Sequence, residues 1–140
     1  MILARNEPCY WLDIGANWSK DFTKILGNPT FIDQDHEIFE FEIVKHRLRL
    51  SLTVTLYSAS IRYRLFRVGF EIPLVNIYAI GCHYATCVEN ENSRLIEFGP
   101  ADITDNWYPY YEQDEHQRQF AIHVWIEPQL RIEVIREGKT

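Results

Sequence analysis

The amino-acid sequence predicts a mostly β protein of the α+β class, an antiparallel sheet or sandwich of six to eight strands with one short N-terminal helix packed on it. Apolar and polar residues alternate along much of the chain, most clearly in RLRLSLTVTL, residues 47 to 56. Strands and helices do not alternate, so a parallel sheet with crossover helices is not indicated. A chain of 140 residues builds one complete core, and residues 1–140 are therefore predicted to form a single domain.

The helix is predicted in NWSKDFTKILGNP, residues 17 to 29. Asn17 is placed to cap its start, and Gly27 followed by Pro29 is placed to end it. Its apolar face is formed by Trp18, Phe22, Ile25 and Leu26. A helix of this length is marginal alone, so this face is expected to pack on the sheet.

The first hairpin is predicted from FEFEIV, residues 39 to 44, and the alternating strand that follows it. A turn at Lys45-His46 brings apolar residues opposite apolar residues and an acid opposite a base. The predicted pairs are Ile43 with Leu48, Phe41 with Leu50, Phe39 with Leu52, and Glu42 with Arg49.

Five later segments also have strand patterns. These are residues 61 to 72, 75 to 81, 94 to 98, 120 to 127 and 130 to 137. Gly69 is a candidate bulge in the first of them, and Pro73 limits how far its pairing extends. The last two flank Pro128 and are predicted to form a terminal hairpin.

Charge is unevenly distributed in a chain whose formal net charge is −6. From Lys45 to Phe70 there are six basic residues and no acids, whereas Glu89 to Gln117 contains eight acids and one base. Both stretches are either solvated faces of strands or partner-facing patches. An acidic chain is poorly suited to binding phosphates, so no nucleic-acid partner is expected.

The sequence predicts a cytoplasmic protein with no membrane association. The N-terminal residues MILARNEPCYWL do not have the pattern of a signal peptide, and no apolar run reaches the length of a membrane span. The three cysteines are odd in number and irregularly spaced, which is typical of reduced thiols.

Two polar clusters are candidate metal or catalytic sites. In DQDHE, Asp33, Asp35, His36 and Glu37 are possible ligands, but alternate residues at a strand start point to opposite faces, so a polar entry to the strand is the preferred interpretation. In CHYATC, Cys82, His83 and Cys87 lack a second ligand pair, which favours reduced, partly buried thiols.

No catalytic motif is present. GxSxG, HExxH, GxGxxG and the P-loop are all missing from the sequence. His123, inside FAIHVWIE, is interpreted as a hydrogen-bonded strand residue. We therefore expect a protein that is not an enzyme and uses no cofactor, with a metal-dependent enzyme centred on Asp33, Asp35 and His36 as an alternative.

The stretch DNWYPYYEQDEH, residues 105 to 116, combines aromatic and acidic residues around a proline. It is either a loop that covers an edge of the core or a contact surface for a protein with a basic surface, because Trp and Tyr are common interface anchors. The predicted partner-binding residues are Asp102, Asp105, Trp107, Tyr108, Tyr110, Tyr111, Glu112, Asp114 and Glu115.

Four segments carry a resemblance to a known group. LGNPTFID, HEIFEFEIV, RLRLSLTVTL and FAIHVWIEPQLRIEVIRE resemble the immunity proteins of bacterial polymorphic toxin systems, nearest to the immunity protein 50 family. The chain differs where RLFRVGFEIP replaces the Pro-rich loop expected after the second strand. The resemblance implies a mostly β cytoplasmic protein that binds and neutralises a cognate toxin, without catalysis or cofactor.

These observations lead to a functional expectation. We expect a binding protein that neutralises a partner protein by occlusion, as a toxin-immunity protein does. A phage-encoded inhibitor of a bacterial defence protein has the same small size, acidity and aromatic content, and stays open as an alternative.

Overall fold

The computed structural model describes residues 4–5, 9–10, 26–35, 37–56, 60–82, 84–103 and 120–136. Eleven strands run through these residues, and all their pairings are antiparallel. They are β1 (Ala4–Arg5), β2 (Cys9–Tyr10), β3 (Phe31–Ile32), β4 (Ile38–Lys45), β5 (Leu48–Thr55), β6 (Ser60–Arg67), β7 (Val75–Ile80), β8 (Tyr84–Glu89), β9 (Arg94–Ile103), β10 (Phe120–Glu127) and β11 (Arg131–Arg136). The mostly antiparallel β class is confirmed.

The strands form two sheets. The first has the order β3-β4-β5-β6-β7, and the second has the order β8-β9-β10-β11, with β1 and β2 paired to β8. Strand β9 belongs to both sheets, since Arg94–Phe98 pairs with β8 and β10 whereas Asp102 and Ile103 pair with β7. A strand that changes sheets in this way makes a corner between them.

One hydrophobic core is shared by the two sheets. Phe41, Leu52 and Tyr63 are buried on the inner face of the first sheet, and Phe98 and Ile122 are buried on that of the second. The rings of Tyr63 and Phe98 meet edge to face, with their centroids 5.3 Å apart. The alternation in β4 and β5 thus places every second residue in the core and leaves the residues between them on an outer face.

The predicted register of the first hairpin is wrong by two residues. The turn lies at His46-Arg47, one residue later than predicted, and both residues have positive φ, of 51° and 66°. The observed pairs are Ile43 with Leu50, Phe41 with Leu52, Phe39 with Val54, and Glu42 with Ser51. Because a shift of two keeps the period of alternation, the predicted inner and outer faces are nevertheless correct.

The strand predicted over residues 61 to 72 ends earlier, at Arg67. Gly69 has a φ of 90°, a left-handed conformation that glycine adopts without steric cost, and the amide of Phe70 donates to the carbonyl of Arg67 in a tight turn. By contrast, the strand predicted over residues 94 to 98 is longer than predicted and extends to Ile103. Residues 68 to 74 are therefore a loop rather than a strand.

Strand β8 was not predicted. Ala85 and Cys87 are buried, and so are Thr86 and Val88 on the opposite face, so the segment does not alternate as a half-exposed strand does. Eight strands have six or more residues, within the predicted six to eight, and β1, β2 and β3 have two residues each.

The predicted N-terminal helix lies outside the described residues, apart from Leu26 at its end. Leu26 is buried in the core, and Gly27 beside it has a φ of 80°, the conformation common after the last residue of a helix. Within the described part of the chain, no helix has the length and apolar character that crossing a membrane requires.

Candidate binding surface

The outer face of the first sheet is the side of β4 to β7 that points away from the core. The cross-strand register arranges its side chains in four rows. These rows are Val44, Arg49 and Phe66; Glu42, Ser51, Arg64 and Asn76; Glu40, Thr53, Arg62 and Tyr78; and Ile38, Thr55, Ser60 and Ile80, of which Ser60 and Ile80 are buried. The face therefore presents three arginines, which come from the stretch without acids that the sequence showed.

The arginines of the outer face stack on its aromatic rings. The guanidinium carbon of Arg49 lies 4.1 Å from the ring centroid of Phe66, and that of Arg62 lies 4.8 Å from the centroid of Tyr78. Arg64 also lies over Phe66, at 5.9 Å. Each such contact contributes about 0.5–1 kcal/mol at exposed sites and holds the planar guanidinium in a fixed orientation. Phe66 is buried although it lies on the outer face.

The charges on this face are incompletely balanced. Arg49 forms an ion pair with Glu42, with 2.9 Å between Nη1 and Oε1, whereas Arg62 donates to the uncharged amide oxygen of Asn76 at 3.2 Å. Among the described residues, no acid lies within ion-pair distance of Arg62 or Arg64. The Nε of Arg64 is buried and has no hydrogen-bond acceptor in the part of the chain that the structure describes. The centre of the face is therefore positively charged.

The loop between β6 and β7, residues 68 to 74, adds an apolar surface at the end of the outer face. Val68, Phe70, Ile72 and Leu74 are all exposed, and Ile72 keeps 83% of its surface accessible. The loop is tied to the sheet because the amide of Val68 donates to the carbonyl of Arg47 and the amide of Leu74 donates to that of Leu65. We call residues 68 to 74 the apolar loop.

A concentration of exposed apolar side chains of this kind marks an interaction site more often than chance exposure does. The guanidinium of Arg67 lies 5.5 Å from the ring of Phe70 at the base of the apolar loop. Arg67 pairs with Leu48 and so lies on the inner side of β6, and its contact with Phe70 therefore places the loop at the end of the first sheet.

The predicted acidic contact residues are not brought into this surface by any described contact. Asp102 lies in β9 and pairs through its backbone with Ile80, at the edge of the first sheet. Its side chain, and the predicted residues Asp105, Trp107, Tyr108, Tyr110, Tyr111, Glu112, Asp114 and Glu115, lie outside the described residues. The contact surface proposed for residues 105 to 115 stays a prediction.

The metal-site candidates have structural roles where they are described. The carboxylate of Asp33 accepts hydrogen bonds from the amides of Glu37 and Ile38, at 2.6 and 2.8 Å, and so closes the turn before β4. Asp35 is exposed, and His36 lies outside the described residues. The residues that the structure describes contain no group of three His, Cys, Asp or Glu positioned to hold a metal ion.

The thiols of Cys82 and Cys87 are buried completely, not partly as predicted, and His83 lies outside the described residues.

His123 lies in β10 between Glu97 of β9 and Glu133 of β11 in the cross-strand register. Its Nε2 is 4.0 Å from Oε1 of Glu97, which is too long for a hydrogen bond, and the contact is an ion pair only when the imidazole is protonated.

A polar surface pocket of about 350 Å³ lies between three turns, those after β4, β8 and β10. Lys45 crosses it, donating to the carbonyl of Ile126 at 3.2 Å and forming an ion pair with Glu127. Arg94 pairs with Glu89 at 3.6 Å. Since these charges pair with one another, the pocket serves as a polar connection between the two sheets.

No family model, curated protein or solved structure matches this chain. The resemblance to immunity proteins therefore rests on the sequence pattern. The outer face and the apolar loop are the strongest functional features of the described residues, and sequence reasoning missed them. The apolar residues at 68, 70, 72 and 74 are the sequence feature that corresponds to the apolar loop. Their alternation with other residues also fits the end of a strand, which is what the sequence predicts there.

Proposed function

We propose that the chain is a non-enzymatic binding protein that neutralises a partner protein by occlusion, and that its apolar loop makes the central contact. The observation that carries this proposal is the exposure of four large apolar side chains within seven residues. Burying one such side chain fully contributes about 1.5–3 kcal/mol. A partner that covers the loop therefore gains a large part of its binding free energy there.

The position of the loop supports binding rather than chance exposure. Its two ends are fixed by backbone hydrogen bonds to Arg47 and Leu65, so less conformational entropy is lost on binding than for a free segment. The adjacent arginines are held by stacking on Phe66 and Tyr78, and arginine is enriched among the residues that contribute most to interfaces.

Occlusion is the mode of action that these features favour. A loop that exposes four apolar side chains at the end of a sheet suits contact with a broad surface of a partner, and such contact covers that surface. The resemblance to the immunity proteins supports a toxin as the partner. The acidic-aromatic segment 105 to 115 is a second proposed contact, suited to a basic part of the same partner.

Site-specific photo-crosslinking tests the proposal. A photoreactive amino acid replaces Ile72 in the apolar loop, and in a matched control it replaces Val134, which is exposed on β11 of the other sheet. In cells that express the chain naturally, we expect one protein to crosslink from position 72 and not from position 134. Equal crosslinking from both positions, or none from position 72, would contradict the proposal.

A further inference from the structure

The positive charge at the centre of the outer face indicates the chemistry of what binds there. Arg62 and Arg64 lie two residues apart on β6, so both project from the same side of the strand. Neither meets an acid among the described residues, as shown above. Two fixed guanidinium groups side by side fit carboxylate or phosphate oxygens, each of which accepts paired hydrogen bonds from an arginine.

The spacing of the two arginines favours an extended peptide. Alternate residues of a β-strand are about 6.7 Å apart along the strand. A second extended chain lying along β6 repeats the same spacing, so carboxylates at alternate positions of that chain reach Arg62 and Arg64 in turn. Ser51 and Asn76 flank Arg64 in the same row and add a hydroxyl group and an amide to the polar surroundings.

A nucleic acid fits this surface less well. Bases bind single-stranded nucleic-acid sites largely by stacking on aromatic rings. Here the ring of Phe66 is buried, with Arg49 and Arg64 over it, and Arg62 lies over Tyr78. A formal net charge of −6 on the whole chain further disfavours a long polyanion.

We infer that the outer face binds an extended segment of the partner protein that carries carboxylates at alternate positions, with Arg62 and Arg64 each binding one carboxylate. This inference deepens the proposed function and rests on it, because it assumes that the partner is a protein. The apolar loop then contacts an apolar surface next to the acidic segment. The partner's recognition site is thus apolar with an adjacent acid-x-acid strand.

Fluorescence anisotropy with a short labelled peptide of alternating glutamate and threonine tests the inference. We expect it to bind the wild-type chain and to bind more weakly at high salt. Replacing both arginines, Arg62→Gln with Arg64→Gln, should weaken binding at least about tenfold, because charge-assisted hydrogen bonds are lost. The matched control, Arg94→Gln with Arg131→Gln, removes two exposed arginines of the second sheet and should leave binding unchanged.

Two further measurements distinguish the effect of charge from that of guanidinium geometry and from loss of folding. The pair Arg62→Lys and Arg64→Lys keeps the charge but loses the planar fork, so binding weaker than wild type is expected. Circular dichroism confirms that each variant is folded.

Three results would overturn the inference: no peptide binding, equal binding of a peptide with the same number of glutamates spaced three residues apart, which puts successive carboxylates on opposite faces, or tighter binding of an oligothymidylate. Continued crosslinking from position 72 alongside any of these would show that the proposed function stands and only the acidic segment is wrong.

Discussion

At the scale of single residues, Tyr63 places a polar hydroxyl group inside the hydrophobic core. It is completely buried, and its hydroxyl has no hydrogen-bond partner among the described residues. Burial raises the pKa of Tyr63 well above its usual value, and the nearby Cys82 raises it further. The ring itself packs edge to face on Phe98, so the aromatic part of the residue stabilises the core while its polar end does not.

We therefore predict that Tyr63→Phe stabilises the protein. An unsatisfied buried polar group costs about 1–3 kcal/mol, and phenylalanine keeps the ring contact without it. The free energy of unfolding, measured with denaturant, should rise, whereas Tyr78→Phe on the outer face should change it little.

The difference between wild type and Tyr63→Phe should also depend on pH. The raised pKa keeps Tyr63 protonated in the folded state above pH ~10, where an unfolded tyrosine ionises. Wild-type stability should therefore fall as the pH rises above this value, and the variant should lack that part of the fall. A destabilised variant would show that the hydroxyl has a hydrogen-bond partner, and a constant difference across this pH range would show that burial does not raise the pKa of Tyr63.

At the scale of elements, the two sheets are connected by polar groups at the end where their turns meet. Lys45 of β4 binds the carbonyl of Ile126 and the carboxylate of Glu127 in β10. The hydrogen bond from Lys45 lowers the pKa of Glu127, and the charges of Lys45, Arg94 and His46 lower it further, while desolvation acts in the opposite direction. This connection links the first sheet to the second outside their shared core.

We predict that this connection weakens in acid. Because the folded pKa of Glu127 lies below its usual value of 4.5, its contribution is present above that pH and is lost as the pH falls through the folded pKa. Glu127→Gln should therefore flatten the loss of stability in this acid range, by a small amount because the group is exposed. Thermal unfolding at a series of pH values measures this, with Glu91→Gln in the same pocket as control; equal curves for wild type and Glu127→Gln would contradict it.

Strands were predictable from the sequence where apolar and polar residues alternate regularly. The residues at which the strands end were not predictable. The faces of β4 and β5 followed from apolar residues at every second position, but the register depended on a turn whose two residues, His46 and Arg47, both adopt positive φ. Such turns are usually signalled by asparagine or glycine, and neither is present here. The apolar residues 68, 70, 72 and 74 keep the period of a strand, although the core residues of β6 are at odd positions, and the strand ends in a turn at the left-handed Gly69.

The candidate site was predictable only in part for a related reason. The absence of acids between Lys45 and Phe70 indicated a basic surface, but not that Arg49, Arg62 and Arg64 gather on one face. Their assembly depends on the pairing of β5 with β6 and of β6 with β7, which brings residues far apart in sequence into the same rows. The alternation within one strand predicts which residues face the core and which face outward. The composition of a whole outer face depends in addition on how several strands pair.

At the scale of the whole molecule, the shared core and the binding surface are on opposite sides of the first sheet. The inner face holds Phe41, Leu52 and Tyr63 in the core, and the outer face is the surface proposed to contact a partner. The apolar loop extends that surface beyond the sheet. A change at the exposed tip of the loop should therefore affect binding without affecting folding, since Ile72 makes little contact with the core.

The most direct test of neutralisation by occlusion is a titration of the crosslinked partner's own activity with this chain. We predict that wild-type chain abolishes the activity at a one-to-one ratio, because each bound molecule covers one working surface. Ile72→Asp should remain folded and fail to inhibit, since it places a charge where apolar contact is required, whereas Val134→Asp on the second sheet should inhibit as wild type does. Full partner activity at saturating wild-type chain, or equal inhibition by Ile72→Asp, would contradict the account.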